Sequence, residues 1–254
     1  MTQTRWISCF VLLATLSTPL GAESLRTATP TVVGSVSHLL LPTSANVNGQ
    51  FDAVFKTKVS IFNPTTYDYA IRAGLSTWNG EIAASSIPIL SGETVTFDNF
   101  LSDVFGYYGG GAIDLDSGND AYRFIVSAQV YVDTGAARFT TSVQFADDLG
   151  TVTPERPGYV VGISVNSNFR TNIGCASNSS APQTITLRAF DSDFYLVGDP
   201  FSFNMAGFGW AQYSVNIPLR NGGIVFEATR NAVCYAVEVN NVSNDGTYQL
   251  AIPF

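Results

Sequence analysis

The chain has one histidine, His38, in 254 residues, and only three cysteines. That scarcity removes most catalytic and metal-binding designs at once. A Ser-His-Asp arrangement would have to use His38, and no serine stands in a G-x-S-x-G turn. One histidine and a few scattered cysteines do not make a zinc ligand set. The glycine run Gly109–Gly111 lacks the Gly-Lys-Ser/Thr ending of a phosphate loop. Basic residues are also few, 12 against 20 acidic ones, for a formal charge of −8. No basic patch is offered to the phosphates of nucleic acid or to an anionic membrane surface. The chain is therefore read as a non-enzyme without a nucleic-acid partner.

A membrane-spanning apolar run is missing too. The run "WISCFVLLATL", Trp6 to Leu16, is too short to cross a bilayer as a helix. Preceded by Arg5 and followed by "STPLGA" ending at Ala22, it reads as a secretory signal peptide over residues 1–22. Cys9 lies inside the run and not at its end, which argues against a lipoprotein anchor. Cleavage removes Arg5 and no acid, taking the charge from −8 to −9. The expected location of residues 23–254 is secreted, periplasmic or at the cell surface, and not integral to a membrane.

What the chain does have is apolar alternation with period two. Hydrophobic residues make up 46% and charged ones 13%, ample for a packed core. In "FKTKVSIFNPTTYDYAIRAGL" Phe55, Thr57, Val59 and Ile61 share one face, Asn63-Pro64 breaks the strand, and Ile71, Ala73 and Leu75 resume the alternation. The same construction returns in "FRTNIGCASNSSAPQTITLRAF" from Phe169, with Cys175 in the place of Ile61. Further on, "GAIDLDSGNDAYRFIVSAQVYVDTG" is answered by "GGIVFEATRNAVCYAVEVNNVSNDG". This pattern predicts an internal duplication, with the junction in Ala146 to Gly158. The predicted fold is all-β: two tandem antiparallel β-sandwich units, immunoglobulin-like or jelly-roll-like, over 23–148 and 159–254 with a linker at 149–158.

The order F-x-T-x-(V/I)…N-P, then "LSGETVT" (Leu90 to Thr96), "VFGYYGGGAIDL" and "VSAQVYVDTG" resembles a group of poorly characterised exported bacterial all-β proteins, often duplicated. The likeness covers most of the chain after residue 22 and is clearer in the first copy. It implies the fold and the export, and it carries over no catalytic residue.

One stretch, Asp103 to Asp120, raises the question of a ligand site. Tyr107 and Tyr108 on a glycine loop could present rings to the faces of a sugar. Asp114, Asp116, Asn119 and Asp120 are the oxygen donors from which a Ca²⁺ site would be drawn, although the spacing is not that of an EF-hand. The plainer reading of both is packing and a solvated hairpin turn. Export favours a bond between Cys175 and Cys234, the pair left after cleavage, at a spacing similar to the inter-sheet bridge of immunoglobulin-type sandwiches. Against it, Cys234 aligns with Arg123 and is out of phase with Val233, Tyr235 and Val237, which points it outward. The pairing stays open at this stage. The terminal "TYQLAIPF" raises an outer-membrane barrel as a lesser alternative. The expected function is a structural, adhesive or protein-interaction module, alternatively a carbohydrate-binding module. Its expected partners are surface proteins or polysaccharide.

Overall fold

A computed structural model describes residues 31–32, 35–49, 53–133, 138–143 and 150–254; the expected signal peptide lies outside the described residues. The first half contains β1 (Thr31–Val32), β2 (His38–Asn48), β3 (Val54–Phe62), β4 (Tyr69–Thr77), β5 (Gly80–Ile89), β6 (Thr94–Phe97), one helix α1 (Phe100–Phe105), β7 (Gly109–Asp116), β8 (Ile125–Asp133) and β9 (Arg138–Ser142). The second half contains β10 (Gly158–Val165), β11 (Phe169–Ser177), β12 (Gln183–Phe190), β13 (Phe201–Met205), β14 (Trp210–Ser214), β15 (Leu219–Ala228), β16 (Ala232–Asn240), β17 (Gly246–Leu250) and β18 (Ile252–Pro253). Every pairing between these strands is antiparallel.

The first nine strands form one sheet folded on itself. Its path runs β1-β8-β3-β2-β7-β4-β5, with β6 on β3 and β9 on β8. The fold line is β2, whose first part pairs with β7 and whose last residues, Asn46 to Asn48, pair with β3. The ladder to β7 slips between Leu41 and Ser44, where Pro42 has no N–H to give. A bulge at a proline bends a strand and lets it change layers. The two layers close over Leu41, Val59, Ile61, Ile71, Leu75, Ile113 and Leu115. The predicted alternation of β3 and β4 is the one that fills this core.

Asn63 turns the chain between β3 and β4. It is fully buried, its amide donates to Tyr67 O and Leu90 O at 2.8 and 3.1 Å, and its Oδ1 accepts from Thr65 N at 2.9 Å. A buried amide with its donors and acceptor used is a rigid turn.

The second half makes two sheets, β13-β12-β15-β10-β18 and β14-β11-β16-β17. Their pairings repeat those of the first half: β10, β12 and β13 attach around β15 as β2, β4 and β5 attach around β7. Likewise β14, β11, β16 and β17 follow β6, β3, β8 and β9. Val160, Ile173, Ile185, Leu187, Ile224 and Phe226 fill the space between them. Val152, in the segment expected as a linker, is fully buried in this second core and bridges Ala232. None of the sheets closes into a barrel, and no helix among the described residues is long and apolar enough to cross a membrane.

Cys234 corrects the alignment made from sequence. It stands directly opposite Cys175 across β11 and β16, with sulfurs bonded at 2.10 Å. In the first half the residue opposite Ile61 is Val126, which is fully buried, and not Arg123. The connection from β7 to β8 is longer than that from β15 to β16, which displaced the alignment. The phase argument failed for a separate reason: β16 is buried on both faces. Cys234 and Ala236 face the second core, while Val233 and Tyr235 face the first half. The bond lies within one sheet and does not bridge two.

Candidate functional site

The stretch Asp103 to Asp120 is built by α1 and β7. Helix α1 ends at Gly106, whose φ of 62° and bond from Gly106 N to Ser102 O make a left-handed glycine cap, with Tyr107 N bonding Leu101 O beyond it. That cap aims the two tyrosines apart. Tyr107 is half-buried against the first core, and its carbonyl accepts from Asn46 Nδ2 at 2.7 Å. Tyr108 is 60% exposed, and its hydroxyl accepts from Asn48 N at 2.9 Å. The pair is not a continuous platform; one exposed ring, Tyr108, is offered.

The glycines that follow serve close approach. A Cβ on Gly110 would meet the Trp210 ring of the second half at 2.9 Å, and one on Gly111 would meet Ser76 O at 2.6 Å. Gly110 lets the two halves touch, and Gly111 lets β7 lie close to β4 within the first half.

The oxygen donors from which a cation site would be drawn each bond a protein group. Asp114 Oδ1 bonds His38 Nε2 at 2.7 Å, and its other oxygen is 3.6 Å from Arg72, which also pairs with Glu81. The hydrogen bond that the Arg72 guanidinium donates to Glu81 holds its pKa above the ordinary value. Asp116 Oδ1 accepts from Gly118 N, Asn119 Oδ1 from Ala121 N, and Asp120 Oδ1 from Ser37 Oγ at 2.6 Å. Asp116 and Asn119 thus shape the turn, while Asp120 ties it to the start of β2. Among the described residues no group of three or more His, Cys, Asp or Glu is drawn together as metal ligands.

A different surface stands out, one the sequence reading did not single out. On the outer face of the five-stranded sheet, Tyr159 of β10 lies 5.9 Å from Phe194 and 5.0 Å from Phe254 between ring centroids. Phe190 joins them at 5.8 Å from Phe194. Val161, Tyr195, Leu196 and Ile252 are exposed around the same rings. Phe194 takes a left-handed φ of 68°, uncommon for a bulky residue. The preceding Asp191 imposes that turn, its Oδ1 accepting from Asp193 N and Tyr195 N at 2.9 Å each. Phe194 remains 66% exposed, and Phe254 67%. At the border Arg188 and Glu227 pair at 3.1 Å, and Asp191 and Asp193 flank Phe194. The sequence signal was weak because β10, β12, a turn and the C-terminus each contribute one ring. Comparison of the chain with protein-family models and with curated proteins gives no match.

Proposed function

We propose that this chain is an exported, non-catalytic interaction module of the structural or adhesive kind. We read it as two sandwich-like units that arose by internal duplication. The repeated pairing order supports the duplication, since unrelated sequences have no reason to reproduce six strand pairings in the same order. The observation that carries the function is the outer face around Phe194. Contiguous exposed apolar surface of this kind marks association sites in soluble proteins. Its occupant on this reading is the same face of a second copy. A two-fold contact sets the Tyr159, Phe194 and Phe254 rings of one copy against the same rings of the other.

The test is the mass of residues 23–254 in solution, by sedimentation and light scattering over a range of concentrations. Dimerisation that weakens with dilution and vanishes in Phe194→Asp and Phe254→Asp, with unchanged circular dichroism, supports the reading. A monomer at every concentration overturns it.

A carbohydrate-binding reading has one observation in its favour, the exposed ring of Tyr108 next to Asn48 at the lip of the cleft between the halves. Glycan binding lost in Tyr108→Ala would support it. Loss of that binding on chelation would bring Ca²⁺ and the Asp114–Asp120 segment into the site.

A further inference from the structure

Between the two halves lies a cleft of about 280 Å³, close to the small end of ligand pockets. Its floor is the outward face of the four-stranded sheet, with Arg170 and Asn172 of β11, Gln212 of β14 and Tyr248 of β17. Val47, Val130 and Thr141 of the first half face them across the gap.

The hydrogen bonds of this floor are lopsided. Arg170 donates from Nη1 to Asn241 Oδ1 at 3.0 Å and from Nη2 to Asn244 Oδ1 at 2.8 Å. Both partners are neutral amides, and no carboxylate among the described residues pairs with the guanidinium. Burial lowers its pKa, the expected cost of a cation held from water without a counter-ion. Asn172 uses its Oδ1 to accept from Ser214 Oγ at 2.8 Å. Gln212 uses its Oε1 to accept from the Tyr235 hydroxyl at 3.0 Å. Tyr235 in turn accepts from Trp210 Nε1, which can only donate, and also hydrogen-bonds Thr43. The Tyr248 hydroxyl, on a residue 8% exposed, has no partner among the described residues. On Asn172 and Gln212 the amide oxygen is thus spent inside the protein and the amide nitrogen is left for the cleft.

A cleft lined by donors around an unneutralised guanidinium suits an anion rich in acceptors. We infer that it binds a small hydroxylated carboxylate of the sugar-acid type. The carboxylate lies on Arg170, and hydroxyl oxygens accept from Asn172, Gln212 and Tyr248. The site is independent of the aromatic face, and it rests on the carbohydrate reading only for the class of ligand.

The experiment is titration calorimetry of residues 23–254 with D-glucuronate and D-galacturonate, beside glucose, galactose and inorganic phosphate. The uronates are expected to bind and the neutral sugars to bind at least about tenfold more weakly. Arg170→Gln should lose a similar factor. Gln212→Glu keeps the acceptor for Tyr235 but turns a donor into a negative charge, so it should weaken uronates while the fold stays intact. Tyr248→Phe should weaken binding and leave the melting temperature of the ligand-free protein unchanged or raised, since it removes an unpartnered hydroxyl. Folded wild-type protein that binds no uronate overturns the inference, as does uronate affinity unchanged in both Arg170→Gln and Gln212→Glu. Preference for phosphate overturns it too. Neutral sugars binding as well as uronates sink the anionic site while sparing the carbohydrate reading.

Discussion

At the scale of single residues, the glycines and buried tyrosines at the seam between the halves matter most. Gly111→Ala places a Cβ 2.6 Å from a backbone carbonyl that cannot rotate away, whereas Gly110→Ala crowds the edge of an indole ring and meets the nearest carbonyl, Ser44 O, at an ordinary 3.4 Å. Gly111→Ala should therefore cost about 1–3 kcal/mol in urea unfolding and Gly110→Ala less. Tyr235 and Tyr248 stack at 5.4 Å but differ in satisfaction. Tyr235→Phe strands the Trp210 indole N–H and Gln212 Oε1, and should cost about 1–3 kcal/mol. Both phenols are raised above the ordinary value of 10.0 by burial, Tyr248 further by the neighbouring Tyr235. A raised pKa means the folded state keeps its proton when the unfolded state has lost it. Stability is then fully present below pH 10 and falls as pH rises beyond it, by about 1.4 kcal/mol per pH unit for each phenol. Urea midpoints measured from pH 8 to 11 check this, and Tyr235→Phe should flatten the fall.

At the scale of elements, the bond between β11 and β16 constrains a long stretch of chain. Closing the loop from Cys175 to Cys234 removes entropy from the unfolded state, contributing on the order of 4 kcal/mol. Reduction, or Cys175→Ala with Cys234→Ala, should lower the melting temperature without changing the far-ultraviolet spectrum at room temperature. The first half manages without such a bond, since Ile61 and Val126 hold the corresponding positions. Helix α1 was missed in the sequence because six residues are too few to establish a 3.6-residue period against the surrounding alternation. Its stop signal, Gly106, was visible, but glycine before two tyrosines reads equally as an ordinary loop.

At the scale of the whole molecule, the halves share a buried seam. Tyr235 and Tyr248 of the second half pack into the first core, and Leu40, Ala112, Ala176 and Val233 form a small cluster between them. Expressed alone, residues 150–254 would bare Val233, Tyr235 and Trp210 to water. That fragment is expected to aggregate or to bind a hydrophobic dye strongly, unlike residues 23–254. A soluble fragment that binds no dye would show that the seam contributes little.

The all-β class, the strand faces around Ile61 and Leu75, and the turn at Asn63-Pro64 were legible in the sequence. Alternation reports burial faithfully wherever one face of a strand meets water. The recurrence of the strand pattern in the second half was legible as well, because alternation persists even where loop lengths drift. The direction of Cys234 was not, since a strand covered on both sides carries no phase. Nor were the aromatic face and the donor-lined cleft. Their residues come from separate strands and from both halves, and only tertiary packing decides which side chains become neighbours and which polar atoms are left without partners.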